Sequence, residues 1–322
     1  MTDVLCFGEA LIDMRGEAVS GRQVYIPQPG GAPANVAVGV ARLGGRSGFI
    51  GQVGADVFGS DIVSALVEYG VDVSLTRRTS QAMTALAFVT LDQDGERSFA
   101  FYRTGTADLL YESRMCPDEA LKRARIVHFC SNTLTAPAIR ETTFTMMRRA
   151  REHDCLVSFD VNYRQPLWPA DEGPAPHILK AAGMADIVKF SREELEALFG
   201  KSAGLADDLL AEAVQLVLIS DGANPLQACC PGQTLTLQPP QVEAKDTTAA
   251  GDSFVAGLLY GLGTQAIGSA AFGDWLAVPG NLEAALAFAA RCGAYTAMHY
   301  GAFDALPTID RLQDLVPETG RV

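Results

Sequence analysis

Short apolar runs rich in β-branched residues alternate with segments of helical period along most of this 322-residue chain. That alternation restricts the fold more than any other feature. Val4–Phe7 reads as a buried strand, and Pro33–Leu43 as a helix with proline in its first turn. Ser47–Ile50 and Gly59–Tyr69 repeat the order, as do Ile126–Cys130 with Ala138–Glu152 and Ile187–Phe190 with Arg192–Phe199. Cys155–Phe159 and Leu216–Ser220 add two more strands. Strands apolar on both faces need helices over both, so this order predicts a mainly parallel sheet inside an α/β/α sandwich.

Two stretches break the pattern. Thr84–Leu91 and Arg97–Arg103 read as strands joined by Gln93-Asp94-Gly95-Glu96, with an Asp-Gly hairpin signal. Ser98, Ala100 and Tyr102 alternate with Phe99, Phe101 and Arg103, so the two faces of this hairpin meet different surroundings. Ile12–Pro29 has no helical period either. Together these segments predict a small protruding sheet, which is either a lid over a cleft or a plain antiparallel edge.

Composition narrows the function. Lys and Arg number 25 against 38 Asp and Glu, a net charge of −13, which disfavours phosphate backbones and anionic lipid as partners. No apolar run reaches the ~18 residues of a membrane span, and Met1-Thr2-Asp3-Val4 carries an acid where a signal peptide carries base. The seven cysteines are scattered, without C-x-x-C spacing, and the four histidines share no metal spacing. Reduced thiols and a cytoplasmic location are the expectation. Gly200-Lys201-Ser202 lacks the upstream glycine of a Walker loop, since Leu195 stands there, and Gly261-x-Gly263-x-x-Ala266 follows a helix rather than a strand. Neither is read as a nucleotide motif, and a nicotinamide dehydrogenase is disfavoured with them.

The segment Lys245-Asp246-Thr247-Thr248-Ala249-Ala250-Gly251-Asp252-Ser253-Phe254 carries the chemistry. Phe254, Leu258 and Leu262 set a helical period behind a first turn stripped of bulk. The unpaired N–H groups and positive dipole end of such a turn form an anion hole when no large side chain covers them. Asp252 lies in that turn, where the dipole is expected to keep it ionised and therefore a weak base. The competing reading is that Thr248 or Asp252 merely caps the helix. A second bare helix start, Gly30-Gly31-Ala32-Pro33-Ala34-Asn35, places Asn35 in a first turn. Asp13 follows the first strand, and Asp160-Val161-Asn162-Tyr163-Arg164 ends another. Carboxylates and amides at strand ends and helix starts suit a polyhydroxylated ligand.

With these blocks on view, the chain resembles the ribokinase-like (PfkB) carbohydrate kinases, and among them is most similar to the fructokinases. The resemblance rests on Phe7-Gly8-Glu9-Ala10-Leu11-Ile12-Asp13-Met14, Gly30–Ala37 and Ala41-Arg42-Leu43-Gly44-Gly45. It continues through Asp160–Arg164, Val188-Lys189-Phe190-Ser191-Arg192-Glu193-Glu194 and Asp246–Phe254. It implies one ribokinase-like domain over residues 1–322, with a β-sheet lid from about 10–32 and 72–104 that is often shared across a homodimer. It also implies transfer of the γ-phosphoryl group of MgATP to a sugar hydroxyl, the 6-hydroxyl of D-fructose. Asp252 would be the base, with Ala249, Ala250, Gly251 and Asp252 as the anion hole. Asp13, Gly31, Asn35, Asn162 and Arg164 would contact sugar, with Phe99, Phe101 and Arg103 supplied by the lid.

On the nucleotide side the resemblance implies Lys189, Ser191, Ser220, Gly222 and Ala290. It assigns Glu194 to Mg2+ through water, and Asp246 with Thr248 to a monovalent cation such as K+. Ser191 and Glu194 also read as a capping box. Three residues depart from the family pattern: Ala249 and Pro225 replace usual glycines, and Ala290 a frequent asparagine. If the backbone at 249 requires φ > 0, the extra Cβ costs about 1 kcal/mol or more. Two alternatives follow. Arg103 or Arg164 could pair the carboxylate of a sugar acid, giving a 2-keto-3-deoxygluconate kinase; or the three departures could leave a sugar-binding protein with weakened catalysis.

Overall fold

The computed structural model describes residues 2–91, 97–170, 172–200 and 204–313, without the side chains at 18, 89–91 and 97–99. The chain begins β1 (Thr2–Phe7), β2 (Leu11–Val19), β3 (Arg22–Gly30), α1 (Ala32–Arg42), β4 (Ser47–Gly54) and α2 (Val57–Glu68). It continues β5 (Thr76–Thr79), β6 (Leu86–Leu91), β7 (Arg97–Tyr102), α3 (Asp118–Leu121), β8 (Ala124–Cys130) and α4 (Pro137–Glu152). Then come β9 (Leu156–Asp160), α5 (Ala175–Ala182), β10 (Ile187–Ser191), α6 (Arg192–Phe199), α7 (Leu205–Leu210) and β11 (Leu216–Asp221). Last are β12 (Asn224–Cys230), β13 (Gln233–Leu237), α8 (Ala250–Thr264), α9 (Ser269–Ala277), α10 (Asn281–Ala297) and α11 (Ile309–Leu312).

Among the described residues, nine strands form the central sheet in the order β13-β12-β11-β10-β9-β8-β1-β4-β5. Seven are joined by parallel pairing, and β12 and β13 extend the sheet from β11 by antiparallel pairing. β1, β4, β8 and β9 are buried almost end to end, as both-faced cover requires. On one face α1, α2, α8, α9 and α10 enclose a core containing Val36, Phe49, Leu258, Leu259, Phe272 and Leu286. On the other, α3 to α7 cover Phe7, Phe129, Phe144, Phe159, Val188 and Phe190. The chain leaves β1 for β4 on one side and reaches β8 on the other, so the strand order reverses beside β1. Ligands of open α/β sheets bind beyond the strand carboxyl ends at such a reversal.

Four further strands form the second sheet, in the order β3-β2-β6-β7. It is the expected small sheet, with one correction. Thr76–Thr79 does not join it but pairs with β4 at the edge of the central sheet, so the second contribution to the lid begins near residue 86 rather than 72. The Gln93–Glu96 turn and Lys201-Ser202 lie outside the described residues. Gly261 and Gly263 sit near the end of α8, well away from any strand-to-helix turn.

No single described helix is long and apolar enough to cross a membrane.

Candidate active site

A cavity of about 430 Å³ opens between the lid, the start of α1 and the start of α8. Of the sequence-derived candidates, Asp13, Gly31, Asn35, Phe101, Asn162, Arg164, Thr248, Ala249 and Asp252 line it. Gly31 is required by its surroundings. It precedes α1 with φ 108°, and a Cβ there would lie 2.7 Å from the carbonyl oxygen of Glu9.

Helix α8 starts as a bare turn. The first intrahelical bond runs from Ser253 N to Ala249 O at 2.8 Å, so the N–H groups of Gly251 and Asp252 lie ahead of it. Ala250 leaves the expected anion hole, because its N–H donates to Thr247 O at 3.2 Å. Ala249 has φ 58° and ψ 7°, the left-handed region, so its Cβ carries the strain anticipated from the sequence. Relief of that strain is worth about 1–2 kcal/mol, and added chain freedom offsets about 0.4–1 kcal/mol. We therefore expect Ala249→Gly to stabilise the protein by about 0.5 kcal/mol in urea unfolding; a loss of stability would place the strain elsewhere.

Asp252 is 9% exposed, and its Oδ2 accepts a 2.7 Å hydrogen bond from Asn35 Nδ2. Burial pushes its carboxyl up to about 7, reinforced by Asp160 and opposed by the Asn35 bond, Arg164 and Lys189. This corrects the expectation of a firmly ionised weak base: loss of water around the group outweighs the dipole. Asp13 is likewise pushed up to about 7, by burial first and then by the Asp252 charge. A base with a raised value is protonated as pH falls, so kcat/KM should show an acid limb near pH 7, with roughly tenfold loss by pH 6. A flat profile down to pH 5 would remove Asp252 from the base role.

Two polar atoms around the cavity lack partners among the described residues. Asn35 Oδ1 and Asn132 Oδ1 are buried acceptors with no hydrogen bond among the described residues. Asn132 Nδ2 donates to Glu9 Oε1 at 2.8 Å, and the same oxygen accepts from Ala32 N at 3.3 Å. Unsatisfied buried acceptors fit a ligand that brings hydroxyl donors.

Glu9, Leu11, Asn132, Glu193 and Thr247 also line the cavity and were not singled out from the sequence. Glu9 had the same signal as Asp13, a carboxylate just past the first strand. Asn132 sits in a polar run directly after β8.

Arg103 is not brought into the cavity lining. Its Nε donates to Asp108 Oδ2 at 2.7 Å, and its Nη1 to Asn132 O at 2.8 Å and Thr135 Oγ1 at 3.2 Å. It braces the wall, while its Nη2 is buried without a partner among the described residues. Phe99 pairs with Val89 through its backbone, and its side chain lies outside the described residues.

Behind α8, Lys189 Nζ donates to both oxygens of Asp160, at 2.9 and 3.1 Å. The capping box of α6 forms as read: Glu194 N donates to Ser191 Oγ (3.1 Å), and Ser191 N to Glu194 Oε2 (2.8 Å). Glu194 Oε1 accepts from Tyr163 N at 2.9 Å. Each Glu194 oxygen thus accepts one backbone N–H, which fixes the carboxylate in place. Asp246 accepts from Thr248 N at 2.7 Å and Gly301 N at 3.2 Å. No cluster of three or more His, Cys, Asp or Glu among the described residues could hold a metal.

Ser220 lies near the end of β11 and Gly222 just beyond it, both apart from the cavity, with Gly222 at φ 55°. Pro225 sits at an irregularity of the β11–β12 ladder, where a missing donor is tolerated. Ala290 is buried in the core on α10.

A family model described as pfkB family carbohydrate kinase matches residues 1–309. The probable fructokinase-7 of Arabidopsis thaliana is 38% identical over 327 residues, covering 99% of this chain and 93% of that protein. The crystal structure of fructokinase with bound ATP from Xylella fastidiosa superposes with a TM-score of 0.94 at 41% identity, covering 99% of each chain. A fructokinase of Vibrio cholerae O395, solved with fructose, ADP and calcium ion bound, gives a TM-score of 0.86 at 34% identity, with 98% of this chain and 99% of that one covered.

Proposed function

Because this chain belongs to the pfkB family of carbohydrate kinases, we propose that it transfers the γ-phosphoryl group of ATP to the 6-hydroxyl of D-fructose. The observation that carries the reading is Asp252: a buried carboxylate, oriented by Asn35, that faces a polar cavity from the same turn as the open amides of α8. The 6-hydroxyl would lie against Asp252 Oδ, which accepts its proton as bonding to phosphorus makes it acidic. The amides of Gly251 and Asp252, with the dipole of α8, stabilise charge on the migrating group. A loose transition state asks for this positioning rather than for covalent help. Mg2+ arriving with the nucleotide would supply charge neutralisation on the phosphates, with Glu194 reaching it through water. Lys189, Ser191, Ser220 and Gly222 remain the proposed nucleotide contacts, and Asp246 with Thr248 the proposed monovalent-cation site. The lid, presenting Phe101 to the cavity, keeps water from taking the phosphoryl group.

A neutral sugar fits this cavity better than a sugar acid. Glu9, Asp13, Glu193 and Asp252 line it, against one lining cation, Arg164. Arg164 is 45% exposed and lies 3.8 Å from Glu194, while Arg103 is committed to Asp108. A substrate carboxylate would therefore meet net repulsion. A panel of D-fructose, 2-keto-3-deoxygluconate and other hexoses with MgATP, read as sugar phosphate by mass, tests the assignment. Fructose 6-phosphate is the expected product, and equal or better turnover of the sugar acid would overturn it. Sugar binding without product from any nucleoside triphosphate would leave only a binding protein.

The lid's outer face supports a homodimer. Phe88 packs edge-on to Tyr25 and tilted against Tyr102, with centroids 5.0 and 5.2 Å apart, and Tyr25 and Tyr102 are exposed. An apolar strip of this kind is ordinarily covered by a partner, here a second copy. Seven free cysteines fit the reducing cytoplasm.

A further inference from the structure

Two amide–carboxylate pairs border the cavity, and they are built alike. In one, Asn35 Nδ2 donates to Asp252 Oδ2 at 2.7 Å; in the other, Asn132 Nδ2 donates to Glu9 Oε1 at 2.8 Å. All four residues line the cavity and all are buried, Asn132 at 6% exposure and Glu9 at 1%. A carboxylate offers only acceptors, so each amide must turn its nitrogen toward it and its oxygen elsewhere. In both pairs that oxygen has no partner among the described residues.

The second pair is held from several sides. Asn132 follows β8 in the short turn Ser131–Leu134, and its carbonyl oxygen accepts from Arg103 Nη1 at 2.8 Å and Thr135 Oγ1 at 2.9 Å. Arg103 is itself fixed by the buried Asp108. Glu9 is fixed as well, because its Oε1 also accepts from Ala32 N at 3.3 Å and its Oε2 from the Cys130 thiol at 3.6 Å. Helix α1 has no side-chain cap of its own, so Glu9 places a carboxylate where the dipole favours one. With its backbone and its amide nitrogen both pinned, Asn132 cannot turn its oxygen toward another protein group. An unmade bond at a buried acceptor is costly, and apolar side chains would pack there without that cost.

We propose that Asn132 is a specificity-determining residue for the sugar, its Oδ1 accepting a hydroxyl of the substrate, and that Glu9 is the positioning residue that fixes the amide in the accepting orientation. The inference rests on the kinase reading above and deepens it. Asn35 and Asp252 hold the reacting end of the sugar, whereas Asn132 reads a hydroxyl that does not react. A bare acceptor rewards an O–H and penalises its absence, since without the hydroxyl the oxygen stays unpaired in the complex. It also disfavours a carboxylate at the same place, which brings no proton to donate.

The test compares D-fructose with its 1-deoxy, 3-deoxy and 4-deoxy analogues and with 2,5-anhydro-D-mannitol, which lacks the anomeric hydroxyl. Each is a substrate, with MgATP, for the wild type, Asn132→Ala, Asn132→Leu and Glu9→Gln. In the wild type one analogue should lose about 10- to 100-fold in kcat/KM against D-fructose. In both Asn132 variants that penalty should shrink to about threefold or less, while the penalties at the other hydroxyls stay as in the wild type. Each penalty is a ratio read on one protein, so a lower folded fraction cancels, and leucine keeps the volume if alanine leaves a void. In Glu9→Gln the same penalty should fall by about threefold or more, because the amide at 132 is then free to turn. A bond that only held the fold would lower all the rates alike. Equal penalties in the wild type and both Asn132 variants at every hydroxyl, or an unchanged penalty in Glu9→Gln, would overturn the proposal. Wild-type turnover on the sugar panel is read first. Product from another sugar revises the substrate, and the deoxy analogues of that sugar are then used; binding without product moves the same ratios to calorimetric affinities.

Discussion

Replacing Asp252 by asparagine should lower kcat by about 10³-fold or more, while the Kd for fructose stays within about threefold. The amide keeps the size of the side chain and can still accept the 2.7 Å bond from Asn35 Nδ2, so the cavity keeps its shape. It cannot take up a proton. Stability gives a second, independent readout. The Asp252 carboxyl sits near 7 in the folded chain, above the value of an exposed aspartate, so the folded state binds its proton more tightly. The stability this provides is present at low pH and is lost as pH rises through about 7. Asparagine carries no such dependence, so the Tm of the variant should gain on that of the wild type from about pH 4 to about pH 7 and level off above. Retained turnover sinks the base assignment; a Tm difference independent of pH sinks the buried-charge account.

Valine at Gly251 should be nearly as damaging, with kcat reduced about 10²- to 10³-fold. The position tolerates the change structurally: the added Cβ meets only Lys189 Nζ, at an ordinary contact distance, and the site is exposed. A surface substitution of this kind moves stability by no more than about 0.5 kcal/mol. The added methyl groups stand over the amides that would hold the phosphoryl group. Loss of activity with an unchanged Tm is the expected pair of results. Full activity would mean that the open turn of α8 is not where the phosphoryl group lies.

Much of this was legible in the sequence, for physical reasons. Parallel strands buried on both faces read as uninterrupted apolar runs, so β1, β4, β8, β9, β10 and β11 were all visible within a few residues of their ends. The bare turns before α1 and α8 were visible because loss of bulk at a helix start is a local pattern. The αL backbone at Ala249 was anticipated only as a condition, since the residue itself argues against it. Thr76–Thr79 was misplaced because a four-residue polar edge strand has no periodic signal. Arg103 was misassigned for another reason: its partner Asp108 is only five residues away, but nothing in the sequence says which carboxylate a buried guanidinium will choose. The charge state of Asp252 was also misjudged, because the depth of burial comes from α1 folding over α8 and is invisible in the helix alone.

The ring of acids around the cavity has a consequence for the end of the catalytic cycle. Sugar enters uncharged, but a phosphate monoester leaves with about two negative charges near pH 7. Glu9, Asp13 and Glu193, which hydroxyls can satisfy, then face an anion. Once the nucleotide's countercharge departs, these side chains repel the charge the sugar has gained, so fructose 6-phosphate is expected to leave readily and to inhibit turnover little.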